Sequence, residues 1–181
     1  MFHITSQRKP RLRRVAVLCT LLMLLFSLAV PANASPPQEL SFTFDVTYAP
    51  IPTDQGVGAW SSTGVLAGAG DVAETYVVGG FDNCWKTIHT TSVLTGPTPE
   101  DTLTVRMQVV RLEAGPPLPP PFPPLCATMT AEGNWTILSA TGAYAGLRGQ
   151  GQATISTVFL PGPGYLELHV HSELQGRGHF H

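Results

Sequence analysis

The segment from Gly133 to Ile155 constrains the fold more than any other. The runs Asn134 to Ser139 and Gln150 to Leu160 read as strands, and Thr141-Gly142-Ala143-Tyr144-Ala145-Gly146-Leu147-Arg148-Gly149 lies between them. Side chains alternating between two faces mark a strand. Three glycines this close together do not sustain a helix, and they permit the positive φ that a tight turn needs. The segment is therefore an antiparallel hairpin. A glycine loop that cradles phosphate needs a helix after it. Here a strand follows, so that chemistry is excluded.

The same period recurs along the chain, with Gly and Pro between the runs. Ser41 to Tyr48 places Phe42, Phe44 and Val46 on one face. Further runs cover Ala59 to Ala67, Asp71 to Val78, and Cys84 to Leu94. Thr102 to Leu112 is the clearest, with Leu103, Val105, Met107 and Val109 on one face. Cys126 to Ala131 and Asn134 to Ser139 read as one bulged strand, and Gln150 to Leu160 and Tyr165 to Leu174 complete about eight. Short strands at close spacing without helices mean a sandwich or a barrel. Closure removes exposed edges, so the expected fold is all-β, a single closed antiparallel barrel. Gly115 to Pro124 contains seven prolines, which cannot donate to a ladder, and reads as a stiff extended connector.

The first 34 residues read as a signal peptide. Arg8, Lys9, Arg11, Arg13 and Arg14 precede the apolar run Val15 to Val30, and Pro31-Ala32-Asn33-Ala34 ends in small-x-small. The expected mature domain is 35–181, secreted to the extracellular space or the periplasm. It carries twelve carboxylates against Lys86, Arg106, Arg111, Arg148 and Arg177, a net charge of −7. That field argues against nucleic acid or an anionic membrane as partner. Export makes the compartment oxidising, so Cys84 and Cys126 are expected to pair. The bridge would close a loop of about 40 residues and contribute roughly 3–4 kcal/mol.

Few residues suggest chemistry. Glu167, His169, His171 and Glu173 share one strand face, and imidazoles two apart with a nearby carboxylate (His169, His171, Glu167) could share a metal. The competing reading is a solvent-facing stripe on a half-buried strand. His179 and His181 are expected to fray at the C-terminus. His89 is a candidate general base without an evident partner. Trp60, Trp85, Trp135 and Tyr144 could stack on a ligand or pack the barrel. Tyr144 is expected to fold over the barrel end, with Gly142, Gly146 and Gly149 clearing room beneath it. No cofactor is expected.

The stretch Thr141-Gly142-Ala143-Tyr144-Ala145-Gly146-Leu147-Arg148-Gly149-Gln150-Gly151 resembles the TGxYxGxxGxG signature of the allene oxide cyclase and dirigent barrels. It resembles still more the small secreted bacterial relatives of unassigned activity. The likeness covers residues 133–155, with a weaker echo over 64–112 that includes His89. It implies an eight-stranded antiparallel barrel of calycin-like shape. In those families a cavity holds a fatty-acid epoxide or guides radical coupling, and none of their functional residues maps onto this chain. The sequence thus favours a secreted barrel that binds a small apolar or amphipathic ligand. The alternatives are a cyclase or isomerase steering a reactive substrate in the cavity, and a metal-dependent activity on His169 and His171.

Overall fold

Eight strands follow one another in chain order: β1 (Gln38–Tyr48), β2 (Gln55–Gly64), β3 (Gly68–Phe81), β4 (Trp85–Thr95), β5 (Thr102–Ala114), β6 (Thr128–Ala140), β7 (Leu147–Pro161) and β8 (Leu166–Phe180). Each pairs antiparallel with the next, and β8 pairs with β1, which closes the barrel. The computed structural model describes residues 36–81, 85–120, 125–161 and 165–181. The proposed signal peptide (1–34) and Cys84 lie outside the described residues, as do the side chains of Phe81, Trp85, Lys86 and Thr87.

Alternation decides which side chains fill the interior. Leu40, Phe42, Phe44, Val46 and Tyr48 point inward from β1, and Leu103, Val105, Met107 and Val109 from β5. Several expected boundaries shift. β2 starts at Gln55 and ends at Gly64, because Gly56 and Gly58 hide its alternation from a reading of side chains. β6 is one strand, as expected, but it begins after Cys126. Cys126 itself is paired across a lone bridge with Pro117. The register of β5 against β6 slips between Thr104 and Val105 and between Val109 and Arg111. The residues left without a register partner, Leu138 and Val110, face outward. The C-terminus does not fray: His179 and Phe180 pair with Arg148 and Leu147, and the His181 N–H donates to Gly146 O at 3.1 Å.

The two barrel ends differ. At one, the short connections β2–β3, β4–β5 and β6–β7 meet both ends of the barrel chain; this is the turn end. At the other, the loop end, β1 leads to β2, β3 to β4, β5 to β6 and β7 to β8. The turn end is plugged by aromatic rings. Phe42 stands edge-on to Trp135 at 5.6 Å, tilts against Trp60 at 6.2 Å, and Trp60 meets Tyr144 edge-on at 6.1 Å. Such pairs add about 0.5–1.5 kcal/mol each beyond the area they bury.

Both indoles use the same local device. Trp135 on β6 lies across Gly151 of β7, and its Nε1–H donates to Gln175 O on β8 at 3.2 Å. Trp60 on β2 lies across Gly70 of β3 and donates to Thr95 O on β4 at 3.0 Å. A Cβ on Gly151 would sit 2.7 Å from the Trp135 nitrogen and 2.0 Å from Gln175 O. Only a glycine lets the ring lie flat on the neighbouring strand there.

Candidate functional site

The loop-end half of the interior carries polar groups. Glu74 points inward from β3, between Val72 and Tyr76 on the same face, and is 2 % exposed. The Tyr48 hydroxyl donates to Glu74 Oε1 at 2.7 Å, and the Ser92 hydroxyl to Oε2 at 2.5 Å. Tyr48 reaches the carboxyl by the same device as the tryptophans: its ring on β1 crosses Gly56 of β2, whose Cβ would stand 2.7 Å from Tyr48 Cζ. Ser92 is the direct register partner of Glu74 on β4.

Burial dominates the electrostatics. It holds the Glu74 carboxyl above its ordinary range, and the two hydrogen bonds oppose this without cancelling it. The Tyr48 phenol is also pushed up, by burial first and then by the neighbouring Glu74. A carboxyl in this setting keeps its proton to higher pH than a solvated one, and in its protonated form one of its oxygens donates instead of accepting.

A cavity of about 20 Å³ opens beside Glu74, lined among others by Tyr76, Thr90, Met107, Thr157 and Ser172. It has room for one molecule of the size of water. Thr90 and Ser172 are 6 % and 1 % exposed, and their hydroxyl oxygens have no hydrogen-bond partner. An unpartnered buried hydroxyl costs about 1–3 kcal/mol. Two of them therefore face the same cavity as a buried carboxyl, from opposite walls of the barrel. At the mouth, Tyr76 packs edge-on against Tyr48 at 5.0 Å and donates to Thr53 O at 2.8 Å.

The residues singled out from sequence fall elsewhere. Trp60 and Trp135 are core, their N–H groups engaged by backbone carbonyls. Trp85 opens β4 opposite Phe81. His89 faces outward between Val77 and Gln108. Tyr144 does cover the turn end, but the glycines beneath it are not the expected ones. Its hydroxyl lies against Gly96 and Gly68. Gly142 and Gly146 supply positive φ for the turn (58° and 84°), and Gly149 leaves space for Leu40, Ile137 and Trp135. The turn is fastened by Asp101, which accepts from the Ala143 N–H at 2.6 Å and from Thr98 at 2.8 Å; these bonds lower its carboxyl below the ordinary range.

Glu167, His169, His171 and Glu173 share the outer face. His169 Nε2 lies 3.0 Å from Glu167 Oε2, and His171 Nδ1 lies 2.7 Å from Asp45 Oδ1 on β1. The Asp45 hydrogen bond, with Glu173 on the other side, raises the His171 pKa. Each imidazole thus faces its own carboxylate, and among the described residues no group of three or more His, Cys, Asp or Glu is arranged to hold a metal ion. Sequence reasoning missed Glu74. The available signal was its parity: Val72, Glu74 and Tyr76 share a strand face whose other members are apolar or aromatic.

No family model, curated protein or solved structure matches the chain.

Proposed function

We propose that this is an exported barrel whose loop-end interior binds the polar head of a small amphipathic ligand, with Glu74 as the anchor. The supporting observation is the pair of partnerless hydroxyls, Thr90 and Ser172, lining the cavity of a buried carboxyl. A purely structural core would fill those positions with apolar side chains and avoid the cost. In the present conformation the cavity admits only a water-sized group. A longer tail enters by moving the Tyr76 ring, which stands at the mouth against Tyr48 with its hydroxyl on Thr53 O. Export implies an oxidising compartment, and a Cys84–Cys126 bridge is proposed with it, supported by the burial of Cys126.

Titration calorimetry with 1-octanol and octanoic acid tests the reading. Wild type should give saturable heat, Tyr76→Ala tighter binding through a wider mouth, and Thr90→Val/Ser172→Ala weaker binding together with a more stable fold. No saturable heat in wild type or in Tyr76→Ala refutes it and leaves a filled scaffold.

A second reading is an isomerase or cyclase of the kind the turn signature suggests. A carboxyl whose pKa burial raises, beside a phenol in an apolar wall, favours it, since in its protonated form it can hand a proton to a reacting oxygen. Turnover of an unsaturated fatty epoxide that disappears in Glu74→Gln, with binding retained, would distinguish it from simple binding.

A further inference from the structure

The outer wall over β5 to β8 carries a different polar array. Register aligns Gln108, Asn134, Gln152 and Gln175 in one row across the four strands. The adjacent row is Arg106, Thr136, Gln150 and Arg177. Between these long side chains runs a surface groove of about 580 Å³. Among the described residues, neither arginine makes an ion pair and none of the amide side chains makes a hydrogen bond. Glu39 is the register partner of Arg177 on β1, yet no pair closes between them. Arg111, one row beyond, is already engaged by Glu113. The expected mature domain holds twelve carboxylates and five cations, so two unpaired guanidiniums flanking one groove stand out.

We propose that this groove binds an acidic polysaccharide. Primary amides donate and accept at once, which suits vicinal hydroxyls, and a guanidinium takes a carboxylate bidentately. Arg106 and Arg177 are three strand spacings apart, about 14 Å, so they meet charges spread along an oligosaccharide rather than on one ring. Thr136 and Gln150 lie between them and the amide row lies alongside, all uncharged, as the intervening hydroxyls require. A continuous phosphate chain fits poorly, because it offers no vicinal hydroxyls to the primary amides beside the two arginines. A protein partner also fits poorly, because no large apolar side chain projects into the groove, where Trp135 is buried, and its long side chains are arginines and amides.

Affinity electrophoresis and calorimetry of the purified protein with polygalacturonate, at low ionic strength, test the proposal. Wild type should be retarded by polygalacturonate and not by dextran, and 0.5 M NaCl should weaken the interaction by screening. Arg106→Gln/Arg177→Gln should lose at least tenfold in affinity, and Gln108→Ala/Gln152→Ala should also bind less tightly. All four positions are exposed, so the melting temperatures should stay at the wild-type value and show that the fold is intact. Equal binding by the double arginine variant, equal retardation by dextran, or no binding to polygalacturonate overturns the proposal.

Discussion

Replacing Glu74 by glutamine keeps the shape of the side chain and removes one ionisable group from the barrel interior. The folded-state pKa of Glu74 lies above its ordinary value of 4.5 because burial disfavours the carboxylate. Below pH 4.5 the carboxyl is protonated in both folded and unfolded chains and titration contributes nothing. As pH rises past 4.5 the unfolded chain releases the proton while the folded chain keeps it, so the folded state loses ground. Each tenfold difference in proton affinity is worth about 1.4 kcal/mol. The loss accumulates up to the folded pKa and is constant above it. Glutamine has no such titration. It still accepts from one hydroxyl, while its NH₂ meets the other, a cost of about 1 kcal/mol that does not vary with pH. The readout is therefore the pH dependence of the difference between the two proteins. Urea midpoints measured from pH 3.5 to 8.5 should show Glu74→Gln gaining on wild type as pH rises, with the slope confined to the interval above 4.5. The other carboxylates titrate alike in both proteins and cancel. A difference that stays flat, or that grows in favour of wild type, would mean that Glu74 is charged in the folded barrel and would refute the electrostatic account of the site.

Other perturbations test neighbouring parts of the argument. Gly56→Ala places a Cβ 2.7 Å from Tyr48 Cζ; it should destabilise by about 1–3 kcal/mol and shift the Tyr48 hydroxyl resonance as the bond to Glu74 lengthens. Gly151→Ala meets backbone at 2.0 Å, so thermal unfolding should show a loss of about 3 kcal/mol or more, with a changed near-ultraviolet tryptophan signal. Asp45→Asn removes the main cause of the raised His171 pKa, and an NMR titration should show that imidazole moving down toward 6.5. The sign follows: His171 stabilises wild type below pH 6.5, and that contribution fades as pH rises through its folded pKa. Peptide mapping without reductant should find Cys84 linked to Cys126, and two free thiols would remove the proposed staple.

Much of the fold was legible because the barrel's interior is chosen by parity. Leu103, Val105, Met107 and Val109 announce β5 before any coordinates, and the hairpin around Tyr144 appears where its glycines require it. What escaped was set by contacts between strands. Gly56 and Gly58 gave β2 no visible alternation, because their role is to let Tyr48 and the β1 backbone approach. The C-terminal histidines looked terminal and loose, but β7 holds their strand in place. Trp60 and Trp135 looked available to a ligand, but each spends its N–H on a carbonyl two strands away. No local pattern encodes that reach.

Glu74 was illegible for a related reason, and the comparison bears on what the site does. Three rings cross a glycine to find a partner two strands on: Trp60, Trp135 and Tyr48. The two tryptophans at the turn end find backbone carbonyls, whose hydrogen bonds do not depend on pH. Tyr48, toward the loop end, finds a carboxyl. For holding strands together, a carbonyl serves at least as well and carries no desolvation cost, since backbone is already paired into the ladder. Placing a titratable group there adds a cost that rises with pH, and two unpartnered hydroxyls beside it add more. Scaffold requirements explain the aromatic plug of the turn end, where one buried hydroxyl, Ser62, also lacks a partner, but they do not explain a buried carboxyl with two such hydroxyls around one cavity toward the loop end. That asymmetry is the physical reason to look for a ligand at Glu74 and not among the more conspicuous tryptophans.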